Sequence, residues 1–259
     1  MRTKLLIVLL ALTASIGTIK AAILNGTCGK NLTWTLNTKT GVLNIEGKGD
    51  MSFYPSGDCP WRSYKEEIKN VNLSDGLTSI AGGAFFGCKN LPTVIIPKSV
   101  TAIENQAFYG CKSLISIEIP NSVTHIGMWV FAECTSLTSV SLPNGITKIY
   151  EGTFYSCSSL KSITIPNRVT RIENRAFSGC TRLTSITIPK GVTFLGCGAF
   201  EKCNITSFIV CATTPPSRAN DIFTELDRRK CTLYVPASAI ETYENTLWWE
   251  DFKEIKAIK

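Results

Sequence analysis

A single interval governs this sequence. Cysteine returns every 23 residues, from Cys88 through Cys111, Cys134, Cys157 and Cys180 to Cys203. Phe85, Phe108, Phe131, Phe154, Phe177 and Phe200 keep the same step, and so do Pro97, Pro120, Pro143, Pro166 and Pro189. A fixed period of about 20 to 50 residues marks a stack of like units, each too small to bury its apolar face except against its neighbours. The chain is therefore expected to wind as a solenoid.

The turn from Cys157 to Gly179 shows how one unit is built. Leu160, Ile163 and Ile165 follow L-x-x-I-x-I, with Ser162 and Thr164 between them. That alternation is the signature of a half-buried strand. Pro166 ends it, because proline cannot donate to a continuing ladder. Val169 and Ile172 give a second extended run, with equivalents at Val100/Ile103, Val123/Ile126, Ile146/Ile149 and Val192/Leu195. Ala176 and Phe177 then carry the chain round a corner, expected to be a helical turn. Parallel strands lie about 4.8 Å apart, so each inward side chain meets its own equivalents above and below.

The L-x-x-L-x-L core is that of a leucine-rich repeat. With proline after the strand, V-T-x-I next and A-F-x-x-C at the corner, the unit resembles the BspA-like leucine-rich repeat family. Five units match nearly position for position between Cys88 and Cys203. The resemblance implies an α/β leucine-rich repeat solenoid of 23-residue coils with a parallel strand ladder. It also implies a secreted or surface protein that binds other proteins, with adhesion to host matrix or cell-surface proteins as the expected role.

The two ends depart from the period. Residues 1–21 read as a cleavable signal peptide: Arg2 and Lys4 open it, and Leu5–Leu12 is its apolar run. That run is too short to span a bilayer, and no later stretch is long enough, so no transmembrane segment is expected. Residues 22–70 are expected as an N-terminal cap, with a β-hairpin of Leu32–Leu36 and Val42–Ile45 and a short charged helical segment between Trp61 and Ile68. The solenoid is expected over 71–211 and a C-terminal cap over 212–259. In that cap 217–230 reads as a polar connection and Leu233–Val235 as a last edge strand. Ile240, Tyr243, Leu247, Trp248, Phe252 and Ile255 fall at spacings near 3 and 4, which predicts an amphipathic helix over 238–256.

Eleven cysteines in a secreted chain suggest disulfides. Equal spacing argues for something else in the repeats, since in-register side chains point the same way. Six of them are expected as a ladder of buried thiols. Cys28 and Cys59, both in the N-terminal cap, are the candidate disulfide. No second column of ligands accompanies the cysteines, so no metal is expected, nor any other cofactor. The chain has one histidine, His125, and residues 88–203 hold no aspartate. Neither a nucleophile elbow, nor a zinc-protease helix, nor a phosphate loop is present, and no enzyme is expected. Eleven basic against six acidic residues over 88–203 is too sparse for nucleic acid.

Three outward positions remain as candidate partner-binding sites. The residue after the recurrent threonine reads Ala102, His125, Lys148, Arg171, Phe194, a column of cations in the middle coils that suits an anionic partner. Glu118, Ser141, Thr164 and Thr187 form the polar strand face. Trp129, where other coils have Gly83, Gln106, Gly152, Arg175 and Gly198, is the candidate platform for an alternative role, a glycan-binding accessory protein.

Overall fold

The computed structural model describes residues 22–54, 58–218 and 222–259. The expected signal peptide lies outside the described residues. The chain opens with β1 (Ile23–Gly29), β2 (Leu32–Asn37) and β3 (Val42–Asp50), an antiparallel meander. The hairpin of β2 and β3 is as the alternation predicts. β1 is an added strand that its turn-forming Asn25-Gly26 conceals. β4 (Asn70–Leu73) and β5 (Gly76–Ile80) both run parallel to β3. One long strand thus belongs to the antiparallel cap and to the parallel ladder. The charged segment between them contains a 3-10 turn at Arg62–Tyr64.

Each coil then contributes up to two strand positions. The first gives β6 (Ala102–Ile103), β8 (His125–Ile126), β10 (Lys148–Ile149), β11 (Arg171–Ile172), β13 (Phe194–Leu195) and β15 (Ser217–Arg218). The second gives β7 (Ser116–Glu118), β9 (Ser139–Ser141), β12 (Ser185–Ile188), β14 (Ser207–Val210), β16 (Thr232–Val235) and β17 (Glu254–Ala257). All these pairings are parallel and in register, Ile172 against Leu195 and Ile186 against Phe208. Pairing is interrupted between β8 and β10, and between β9 and β12.

The corner is not a helix. It is a tight turn whose amides alternate between two kinds of acceptor. Cys134 N bonds Phe131 O within the turn at 3.2 Å, while Phe131 N bonds Thr153 O of the next coil at 2.9 Å. Two positions of each corner take a positive φ: Gly83, Gln106, Trp129, Gly152, Arg175 and Gly198 at one, Gly87, Gly110, Glu133, Ser156, Gly179 and Lys202 at the other. An L-residue there costs about 1–2 kcal/mol, so the repeat holds the backbone in that state even where the residue is not glycine.

Behind the corner the phenylalanines are fully buried. Successive rings from Phe85 to Phe200 stack at centroid distances of 5.2 to 5.7 Å. Trp61 extends the column at its N-terminal end, 6.3 Å from Phe85, its indole N–H donating to Ala84 O at 2.6 Å. The cysteines are buried free thiols. Each donates to the phenylalanine carbonyl of the preceding coil, Cys111 to Phe85, Cys134 to Phe108, Cys157 to Phe131, at 3.1 to 3.2 Å. A small S–H donor at this spot satisfies a carbonyl that a purely apolar residue would leave short of a partner. Cys28 and Cys59, expected as a bridge, are buried free thiols instead. Cys59 Sγ donates to Ala84 O at 3.4 Å, so it joins the thiols of the coils rather than its neighbour in the cap.

Three expectations for the far end need correction. The segment 217–230 is not a polar connection: Ile222, Phe223 and Leu226 are buried, standing 23 residues after Ala199, Phe200 and Cys203. Glu225 keeps the positive φ of Lys202 before it, and so does Trp248 another 23 residues on. The helix is only α1 (Ile240–Glu244), preceded by a 3-10 turn at Ala237–Ala239. Trp249 and Phe252 enter the core from turns beyond it. Finally, β16 is not the last strand, since β17 pairs with it in parallel, Leu233 against Ile255.

Candidate functional site

The first-strand positions place His125, Lys148 and Arg171 one coil apart on the surface, as the spacing predicts. Lys148 and Arg171 are direct pairing partners, and Arg171 is paired in turn with Phe194. His125 belongs to the other ladder, opposite Ala102. Each cation also has company from its own coil or the next. Arg171 Nε donates to Glu173 Oε1 at 2.7 Å, and its guanidinium lies 3.8 Å from the Phe194 ring centre. His125 Nε2 is 3.8 Å from Glu104 Oε2, and its ring meets Tyr150 edge-on at 5.4 Å. Lys148 Nζ sits 5.9 Å from the same Tyr150 ring. Carboxylates and rings already balance two of the three charges, which leaves little to attract an anion.

Trp129 has a packing role. Its indole covers Gly152 of the next coil, where any Cβ would collide with the ring. It also meets Tyr155 edge-on at 5.3 Å. One face of the ring is therefore occupied. Nearby, Phe86 and Tyr109 stack at 4.8 Å with 3° between planes, and Arg62 lies 5.4 Å from the Phe86 centre. The Tyr109 hydroxyl donates to Glu133 Oε1 at 2.6 Å, and that carboxylate pushes its pKa up to about 12. The stripe presents ring edges rather than the open faces on which a sugar stacks.

The second-strand positions differ. Glu118, Ser141, Thr164 and Thr187 are all exposed. Pairing carries their column on through Ile209 and Tyr234 to Lys256. At the other end the same spacing places Ile95, 82% exposed, with Ile115 53% exposed beside it. Elsewhere threonine hydroxyls are spent on the solenoid itself: Thr101, Thr138, Thr170, Thr193 and Thr206 each donate to a carbonyl of the preceding coil. Among the described residues the hydroxyls of Ser141, Thr164 and Thr187 make no such bond. Thr164 and Thr187 also line an open groove of about 570 Å³ with Ile163, Lys190 and Cys211. Sequence reasoning passed over Ile95 and Ile115, though both break the polar alternation of the strand face and could have been found by it.

Chemistry is sparse on both faces. Among the described residues no three metal-ligating side chains come together. Burial holds Cys88, Cys134 and Cys203 up at about 12 from an ordinary 9.0. These thiols stay protonated at neutral pH and are poor nucleophiles. No helix among the described residues is long and apolar enough to cross a membrane.

Comparison with known proteins agrees with this architecture. The family model described as BspA type Leucine rich repeat region matches in six copies, over residues 63–161 and 101–224. No curated protein matches the chain. Among solved structures, a leucine rich cell surface protein from Faecalibacterium prausnitzii A2-165 gives a TM-score of 0.58 at 24% identity, over 93% of this chain and 74% of that one. A leucine-rich repeat protein from Bacteroides ovatus ATCC 8483 gives 0.53 at 18% identity, over 94% and 77%. The pneumococcal vaccine antigen PcpA gives 0.51 at 16% identity, over 75% and 55%. At these identities the likeness is one of fold.

Proposed function

The chain belongs to the BspA-type leucine-rich repeat family, and from that premise we propose that it is a non-catalytic, surface-displayed scaffold that binds a protein partner along its outward strand face. One observation carries the choice of face. Ser141, Thr164 and Thr187 are exposed with hydroxyls unengaged by the solenoid, whereas the neighbouring threonines donate to carbonyls. A regular row of free donors and acceptors, with Ile95 and Ile115 as apolar anchors at one end, has the make-up of an interface: a few buried hot spots inside a polar surround. The solenoid supports this use, because outward positions can vary without touching the stacked core.

Adhesion to host matrix or cell-surface proteins is the specific form we favour, with the chain exported by its N-terminal leader. The test is binding of the purified protein to a panel of matrix and cell-surface proteins, beside a glycan array. Thr164→Lys with Thr187→Lys, and separately Ile95→Asp with Ile115→Asp, are expected to weaken binding at least tenfold. The pair Lys148→Glu and Arg171→Glu is expected to leave it within about twofold. Loss of binding only in the charge-reversed pair would move the site to the cation column. Retention by glycans alone would replace the protein partner with a carbohydrate.

A further inference from the structure

β17 is the outer strand of the sheet β12-β14-β16-β17. Among the described residues no strand pairs with its far side, and such a row of open N–H and C=O groups is a template for another chain. Around it Ile255 is half-buried against the core, Ile258 is 38% exposed and Leu247 is 61% exposed. Asp251, Lys253, Glu254, Lys256 and Lys259 are exposed.

The order of these residues is self-complementary. Laid antiparallel on its own copy about Ile255, the segment sets Glu254 opposite Lys256, Asp251 opposite Lys259, Phe252 opposite Ile258 and Ile255 opposite itself. Lys253 faces Ala257. A shift of the centre to Lys256 sets that lysine on its own copy, and a shift to Glu254 sets carboxylate on carboxylate. Like charges directly opposite are destabilising, so one register stands out. A strand edge rich in lysine repels most visitors, but this one offers a match to itself.

We propose that the β17 edge pairs antiparallel with the β17 edge of a second copy of this chain, joining two solenoids end to end about a two-fold axis. Such an isologous contact closes on itself and makes a dimer, not a fibre. Glu254 and Lys256 are already ion-paired within the strand at 2.6 Å. Both are exposed, so exchanging that pair for two across the interface costs little. Two short strands and a few apolar side chains bury less than the ~1,200 Å² of a standard stable interface. The dimer is accordingly weak, with a dissociation constant on the order of 100 μM. This inference goes beyond the binding reading and does not rest on it.

The test is sedimentation velocity of the whole protein from micromolar to millimolar concentration. The mass is expected to rise from monomer to dimer across that range. Lys256→Glu puts carboxylate opposite carboxylate at both ends of the pairing, and should weaken dimerisation at least tenfold. The exchange Glu254→Lys with Lys256→Glu restores opposite pairs and should restore the dimer. Thermal melts of all three proteins check that these exposed substitutions leave the fold intact. A protein that stays monomeric at millimolar concentration overturns the proposal. So does a dimer indifferent to Lys256→Glu, or one that the exchange fails to recover.

Discussion

The middle of the solenoid and its C-terminal end use the same residue type in opposite ways. From Phe85 to Phe200 neighbouring rings are nearly parallel, with interplanar angles of 4 to 20°. Past Phe200 the rings turn on edge. Phe208 meets Phe200 at 89° and Phe223 at 83°, and Phe223 meets Trp249 and Phe252 at 88°. In the middle each ring is covered above and below by its own translated copy, so offset stacking is the geometry that repetition allows. At the end no next copy exists. The last ring face has to be closed by rings from several segments meeting edge to face. The N-terminal end solves the same problem with Trp34 and Tyr54 set at 67° and 75° to Trp61. A column can be repeated, but its ends must be composed.

Removal of residues 237–259 is the severest way to test that contrast. It takes away Tyr243, Trp249, Phe252 and β17, baring the β16 edge and the rings of Phe208 and Phe223. The truncated protein is expected to aggregate at concentrations where the whole chain is soluble, as light scattering would show. A soluble truncation of unchanged melting temperature would mean that the composed end is ornamental. Within the column, Phe154→Ala empties a fully buried site between two stacked rings and is expected to cost about 3–5 kcal/mol. Urea denaturation measures it, and a midpoint that does not move would break the idea of a continuous spine. The smallest effect belongs to the corner. Gln106 is exposed at φ +59°, so Gln106→Gly should relieve the left-handed strain and stabilise by roughly 0.5–1 kcal/mol, the strain released less the entropy that glycine adds to the unfolded chain. A loss of stability there would mean that the side chain, not the backbone, shapes the turn.

What the sequence made legible follows the same division. The phenylalanine, cysteine and proline columns were plain, because a residue packed against its own translated copy is held to one identity. The left-handed corner positions were hidden, since Gly83, Gln106, Trp129 and Arg175 share a backbone state and nothing else. The amphipathic helix over 238–256 was misread for a physical reason. Apolar spacings of 3 and 4 also arise in a coil whose corner keeps its backbone after its motif has faded, as Glu225 and Trp248 do. On the surface, the cation column was placed correctly in space. Its neighbours Glu104, Tyr150, Glu173 and Phe194 were not, because they come from other coils or from side-chain orientations that no period encodes. Cys28 and Cys59 were paired on cap membership alone, whereas Cys59 bonds to the first coil.

The thiol and amide bonds of the corner carry a consequence for how such a molecule changes over generations. Each thiol reaches 26 residues back, Cys157 to Phe131, and each phenylalanine amide 22 forward, Phe131 to Thr153. Both are bonds to the adjoining coil, and neither refers to the length of the whole. A duplication or loss of one complete 23-residue unit in the middle therefore re-forms the contacts it interrupts, whereas a change of any other size throws phenylalanine, thiol and proline out of step together. Rod length becomes a quantity that recombination can adjust in whole increments, and the distance at which the outer face is held can drift while the chemistry of the coil stands still.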